Sequence, residues 1–129
     1  MMDFGCSPLC GDFQIAERSE TRALVTMTVQ HSEPVLPGHY PGFPILPGVC
    51  VIEQVRRGAL ATLPAQGRWA MAEIATARFL RPVFPGDFLT AELGWTHHPD
   101  VSWWCAAVAS TRRGIAARIK IRFAAGRVP

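Results

Sequence analysis

The sequence predicts an α+β fold in which an antiparallel sheet wraps around one long central helix. Three observations carry this reading. Val49 to Leu63 lacks proline and repeats apolar residues at Ile52, Val55, Ala59 and Leu63, which is helical spacing. Four long strand-like segments follow it, and two short ones precede it. One helix and a set of antiparallel strands bury each other's apolar faces only if the sheet curls around the helix.

Residues 1–11 mix Gly, Pro, Ser and Cys without periodicity and read as a loose segment or an edge strand. From Asp12 to Gln30, the residues Ile15, Leu24, Val25, Met27 and Val29 read as two short strands joined near Ser19 and Glu20. Pro37, Pro41, Pro44 and Pro47, interleaved with Gly38, Gly42 and Gly48, exclude regular structure over residues 37–46. The helix starts at Pro47, since proline is tolerated in a first helical turn, and stops by Pro64. Arg68 to Phe79 is a strand with Trp69, Met71, Glu73, Ala75 and Ala77 on one face. A proline-bounded turn through Gly86 and Asp87 leads to a strand over Phe88 to Thr96. The turn His97-His98-Pro99-Asp100 precedes a strand over Val101 to Thr111, and Arg112-Arg113-Gly114 is a hairpin turn into Ile115 to Ala124. In that last strand Ile115, Ala117, Ile119, Ile121 and Phe123 face one way and Arg118, Lys120 and Arg122 the other, the pattern of a half-buried antiparallel strand.

A chain of 129 residues fits a single domain over 1–129. With 49% hydrophobic and 18% charged residues, part of its apolar surface is expected to be buried between subunits. A net charge of +3, dispersed along the chain, argues against nucleic acid as a partner. The start Met1-Met2-Asp3 lacks a basic leader and no apolar run is long enough to span a bilayer, so a cytoplasmic protein without membrane association is expected. Cys6, Cys10, Cys50 and Cys105 form no CxxC pair and read as free thiols, with no metal site.

The chemistry concentrates in residues 37–54. A stiff loop presents His39, and the helix that follows exposes unpaired backbone N–H groups near Gly48 and Val49. These carry partial positive charge, and Gly48 has no side chain to shield them, so they can receive a carbonyl oxygen that is gaining negative charge. Glu53 follows one helical turn inside.

The run His39-Tyr40-Pro41-Gly42-Phe43-Pro44-Ile45-Leu46-Pro47-Gly48-Val49, with Glu53 fourteen residues after His39 (53 − 39 = 14), resembles the signature of FabZ-type 3-hydroxyacyl-[acyl-carrier-protein] dehydratases of the hotdog-fold superfamily. A second block, Arg78-Phe79-Leu80-Arg81-Pro82-Val83-Phe84-Pro85-Gly86-Asp87, is similar to the strand and turn that follow the family's central helix. The resemblance implies a homodimer whose sheets join, larger assemblies such as trimers of dimers, and an active site at the subunit interface. His39 would come from one protomer and Glu53 from the other. It further implies removal of water from a 3-hydroxyacyl thioester on acyl carrier protein to give a 2-enoyl thioester, in fatty-acid or polyketide-type biosynthesis. His39 would be the base for the C2 proton, and Glu53 would donate to the C3 hydroxyl or orient a water towards it. The Gly48 and Val49 N–H groups would polarise the thioester carbonyl. No cofactor is implied, because the pantetheine arm arrives on the carrier. Arg57 stands where the family often has Gln, and its i,i+4 spacing predicts a pair with Glu53 that would make Glu53 a poorer acid.

His97 and His98 read as turn residues, and His31 as a loop residue. Trp103 and Trp104, consecutive on a strand, point to opposite faces. Arg56, Arg57, Arg112 and Arg113 are candidates for contact with an acidic carrier. Two alternatives to the dehydratase stay open: a hotdog thioesterase in which ionised Glu53 activates water, and a hotdog subunit that binds without turnover.

Overall fold

The computed structural model describes residues 12–30 and 45–126. Six strands form one antiparallel sheet: β1 Gln14–Arg18, β2 Arg22–Thr28, β3 Trp69–Phe79, β4 Phe88–His97, β5 Trp103–Thr111 and β6 Gly114–Ala125. Their order across the sheet is β1-β2-β4-β5-β6-β3, and the helix α1, Gly48–Thr62, lies against its concave side. This is the hotdog arrangement, and each strand falls within two residues of the segment the sequence predicts.

The alternation of apolar residues decides which face meets the helix. Ala23, Val25 and Met27 of β2, Leu89, Ala91, Leu93 and Trp95 of β4, and Ala117, Ile119, Ile121 and Phe123 of β6 are all buried. Fully burying each larger side chain of this set is worth about 1.5–3 kcal/mol, which is why the sheet closes around α1. The helix contributes Cys50, Val51, Val55, Gly58 and Ala59 to the same core. At Gly58 a Cβ would stand 2.9 Å from Cγ1 of Val25, so the missing side chain is what lets α1 sink onto β2.

Turn chemistry sets the connections. Phe84-Pro85-Gly86-Asp87 closes with the Asp87 N–H donating to the Phe84 carbonyl at 3.0 Å, and Gly86 takes the positive φ (87°) that the third position of a type II turn requires. The Asp87 carboxylate caps the turn by accepting the Phe84 N–H at 2.7 Å and pairs with Arg113. Burial alone would raise the Asp87 pKa, but these hydrogen bonds outweigh it and hold the carboxyl below its usual range.

β3 departs from the sequence reading. Its pairing with β6 runs Met71↔Phe123, Glu73↔Arg122, Ile74↔Ile121 and Thr76↔Lys120, with irregularities between Met71 and Glu73 and between Ile74 and Thr76. Each bulge inserts one residue and shifts the alternation. Trp69, Met71, Ile74 and Ala77 therefore sit opposite the inward residues of β6, whereas Glu73 lies on the outer face and pairs with Arg122 at 3.1 Å. The single face expected for Trp69, Met71, Glu73, Ala75 and Ala77 is thus corrected. Among the described residues β3 is an edge strand bonded on one side only, and Ile74, Phe79 and the following Leu80 are 42–50% exposed.

Trp103 packs inward, edge-on to Trp95 with centroids 6.2 Å apart, while Trp104 lies under the Lys120 ammonium on the outer face. His97 stacks on Trp103 at 4.5 Å, and the turn beyond it closes through the His98 and Ser102 backbones. Cys50 and Cys105 are buried cysteines, and burial pushes the Cys105 pKa up to about 12. Among the described residues no helix is long and apolar enough to cross a membrane.

Candidate functional site

The start of α1 is built from both motif blocks. Ile45 and Leu46 run extended into Pro47, whose φ of −61° and ψ of 150° place it at the N-cap without a side-chain hydrogen bond. The Leu46 N–H donates to the Val83 carbonyl at 2.8 Å, which ties the Pro-Gly helix start to the Arg-Pro-Val turn of the second block. The N–H groups of Cys50 and Val51 turn back to the Pro47 carbonyl at 2.9 and 3.4 Å. Gly48 and Val49 precede these first helical donors, so their N–H groups have no acceptor within the helix. They form the positive end of the helix dipole, and the Val49 side chain is 61% exposed.

Gly48 meets the end of β3. A Cβ there would stand 2.9 to 3.1 Å from the ring of Phe79, so the glycine admits the aromatic ring against the helix start. Between them opens a cavity of about 530 Å³ whose lining includes Leu46, Gly48, Val51, Phe79, Pro82 and Ala116. Its walls are mainly apolar and its backbone donors lie at one end, an arrangement suited to an apolar chain that ends in a polar carbonyl.

Glu53 lies five positions beyond Gly48. At about 100° per residue that is roughly 140° around the axis, so its carboxylate leaves the helix on another side from the cavity. Both carboxylate oxygens are engaged there: Arg56 Nε donates to Oε1 at 2.7 Å and Arg56 Nη2 to Oε2 at 2.8 Å. The Glu53 side chain is 11% exposed and that of Arg56 35%. The hydrogen bond to Glu53 raises the Arg56 pKa above its ordinary value. The expected partner Arg57 is replaced by Arg56 at i,i+3, and the Arg57 guanidinium instead lies 5.3 Å from the ring centroid of Phe13. Both spacings reach on a helix, and Arg57 makes a cation–π contact with Phe13.

Of the sequence-derived site, Gly48, Val49 and Glu53 therefore share one helix, with Gly48 on the cavity and Glu53 away from it. His39 lies outside the described residues, as do residues 1–11 and 37–44 of the predicted loops, Tyr40, His31, Cys6 and Cys10. Sequence reasoning missed Phe79 and Arg56 as site residues. Phe79 stands in the second block with no local sign of a role, and Arg56 is one of two adjacent arginines with nothing local to choose between them.

A family model described as ApeI-like, ApeI dehydratase, matches residues 15–114. Among curated proteins, the chain is 45% identical over 86 residues to a 3-hydroxyacyl-[acyl-carrier-protein] dehydratase FabZ of Desulforamulus reducens, covering 62% of this chain and 61% of that protein. It thus spans less than two thirds of the length of the FabZ proteins it matches. Among solved structures, the dehydratase heterocomplex ApeI:P from Xenorhabdus doucetiae superimposes with a TM-score of 0.70 at 21% identity, over 89% of this chain and 96% of that one. The PaaI protein from the phenylacetic acid degradation operon of Escherichia coli gives 0.71, also at 21% identity, over 89% and 80%. These two show the shared hotdog fold. With its Pro-Gly helix start, its second motif block and a family match over most of its length, the chain belongs to the ApeI-like dehydratase family, related in sequence to the FabZ proteins.

Proposed function

We propose that this protein is a 3-hydroxyacyl thioester dehydratase of the FabZ kind. It acts on a substrate carried by acyl carrier protein and releases a 2-enoyl thioester, in fatty-acid or polyketide-type biosynthesis in the cytoplasm. The observation that carries the reading is the uncapped helix start at Gly48, opening on a largely apolar cavity, in a chain of the ApeI-like family. The thioester carbonyl is received by the Gly48 and Val49 N–H groups, and charge that develops on its oxygen is stabilised there. His39 takes the C2 proton as a neutral imidazole, and Glu53 faces the C3 hydroxyl.

The two helix sides bear on assembly. With Gly48 and Glu53 roughly 140° apart around α1, one helix serves two sites, which suits a homodimer of single-domain protomers. One protomer supplies His39 and Gly48, and its partner supplies Glu53. The open edge of β3, with Ile74, Phe79 and Leu80 exposed, is the surface on which a second copy continues the sheet.

A second reading, thioester hydrolysis, is favoured by the Arg56 pair, since an ionised Glu53 is suited to orienting water. One experiment separates the two. Purified protein is incubated with an enoyl thioester on pantetheine or on carrier protein, following enoyl absorbance and free thiol together, with His39→Ala as control. Loss of enoyl absorbance without thiol release, abolished in the variant, is expected. Thiol release would establish the hydrolase, and silence in both channels would overturn catalysis on these substrates.

A further inference from the structure

The outer face of the sheet gathers the chain's surplus of positive charge into one strip. On β6 the alternation that buries Ile119, Ile121 and Phe123 sends Arg118, Lys120 and Arg122 outward, about 7 Å apart along the strand. Pairing with β3 sets Arg78 directly opposite Arg118, Thr76 opposite Lys120 and Glu73 opposite Arg122. On the other flank β5 offers Val108, Ala106 and Trp104 to the same three residues, so no carboxylate lies between. Arg78, Arg118 and Lys120 are exposed, and of the four cations only Arg122 has a carboxylate partner among the described residues, Glu73 at 3.1 Å. Four cations against one carboxylate leave +3, which equals the formal charge of the whole chain.

This arrangement costs stability. Like charges directly opposite on neighbouring strands repel, and a carboxylate in place of Arg78 would pair with Arg118. Folding therefore does not account for Arg78, whereas a partner that brings negative charge does. We propose that this strip is a docking surface for the acidic face of the protein that carries the acyl thioester. The inference rests on the carrier-dependent reading above for the partner, and on the strip itself for the place.

Position and flanks favour that occupant. Arg78 immediately precedes Phe79, and Arg118 lies two residues after Ala116, so the strip begins beside two walls of the cavity at Gly48. A carrier seated there holds its arm next to the cavity proposed to receive the thioester. A second copy that continues the sheet beyond β3 leaves this outer face uncovered, and a copy stacked on the strip would set cations against cations. Nucleic acid fits less well. Glu73 stands within the strip, Glu92 lies across Val108 in the row of Arg118, and the Trp104 ring lies under the Lys120 ammonium at 5.2 Å rather than open to a base. The same two carboxylates repel a carrier set in the wrong register, which narrows the ways an acidic face can sit.

The test uses the full chain and its Arg118→Glu/Lys120→Glu, Arg118→Gln/Lys120→Gln and Arg78→Glu variants, with Arg22→Glu on β2 as the control for charge reversal elsewhere on the sheet. Each is checked by circular dichroism and a thermal melt. Binding of fluorescently labelled apo-acyl carrier protein is followed by anisotropy, which needs no turnover, and kcat/KM is measured for one 3-hydroxyacyl group on carrier and on pantetheine. In the double Glu variant carrier affinity and kcat/KM on carrier fall at least about tenfold, and the Gln pair falls less. The pantetheine substrate and the Arg22→Glu control stay within about twofold. Arg78→Glu loses carrier affinity while its melting temperature rises by about 1–4 °C, an outcome that a purely structural arginine cannot give. Carrier affinity absent in wild type or unchanged by reversal, or an equal loss on pantetheine, overturns the proposal. So does tighter strip-dependent binding of labelled duplex DNA or phosphatidylglycerol vesicles than of carrier. Strip-dependent carrier binding without turnover by wild type sinks the dehydratase reading and leaves the docking surface standing.

Discussion

The same substitution at two glycines of α1 should have opposite consequences, because what their Cβ atoms meet differs. At Gly58 an added methyl would stand 2.9, 3.0 and 3.2 Å from Cγ1, Cγ2 and Cβ of Val25. Val25 is 0% exposed and β-branched, so it has neither space nor rotamers with which to yield. Overpacking of this kind costs about 1–3 kcal/mol, against a helix-propensity gain of about 1 kcal/mol for replacing glycine with alanine. Gly58→Ala is therefore expected to destabilise by about 1 kcal/mol net. At Gly48 the overlap is with the tip of the Phe79 ring, also at 2.9 Å, but Phe79 is 50% exposed and can swing outward. Gly48→Ala should leave stability within about 0.5 kcal/mol while lowering kcat/KM about tenfold, as the methyl crowds the N–H groups proposed to receive the carbonyl. The assay is urea denaturation at one fixed protein concentration, with Val25→Ala and the Gly58→Ala/Val25→Ala pair included. Val25→Ala alone should cost at least about 1.6 kcal/mol for the two methyl groups removed, and the pair should be better than additive by about 1 kcal/mol. A Gly58→Ala protein more stable than wild type, or strict additivity in the pair, would refute the close-approach reasoning.

Four further outcomes follow from the same structure. Gln54 is wholly buried, and neither its amide nitrogen nor its amide oxygen has a hydrogen-bond partner among the described residues, so Gln54→Leu should stabilise by about 1–3 kcal/mol; a loss in a thermal melt would mean that the amide is satisfied in solution. The Cys105 thiol is raised from 9.0 to about 12, so the folded state keeps a proton that the unfolded state releases; this stability is complete below pH 9 and declines towards pH 12. At about 1.36 kcal/mol per unit the three-unit difference bounds the loss at about 4 kcal/mol, and Cys105→Ala should flatten the alkaline fall in melting temperature. For Asp87, held below its usual range, the sign is reversed: its contribution is present above the ordinary carboxylate pKa and lost as pH falls through the folded value, so the deficit of Asp87→Asn should shrink in acid. Finally, mixing inactive His39→Ala with inactive Glu53→Gln under subunit exchange should restore about one quarter of wild-type activity, since half the dimers are mixed and each holds one intact site; no recovery would exclude a site shared between protomers.

The local levels of this protein are written in its sequence. Proline and glycine spacing is enough to stop a strand, start a helix at Pro47 and turn the chain at Gly86, since φ is constrained residue by residue. Period-two burial on β6 assigns its faces without knowledge of its neighbours, and the motif around Gly48 and Glu53 carries the resemblance to FabZ-type dehydratases. What the sequence left open depends on contacts between distant segments. β3 lies beyond β6 at the sheet edge and not beside β2 or β4, and its two bulges appear only in its pairing with β6, turning Glu73 to the outer face. Phe79 becomes part of the helix start only when the end of β3 reaches Gly48. Arg56 takes both carboxylate oxygens of Glu53, while the adjacent Arg57 meets Phe13, more than forty positions away in the chain. Backbone torsions and side-chain periods are local and legible in order, whereas register, strand order and the choice between two equivalent side chains are settled by whichever distant surface arrives, and only the folded chain brings it there.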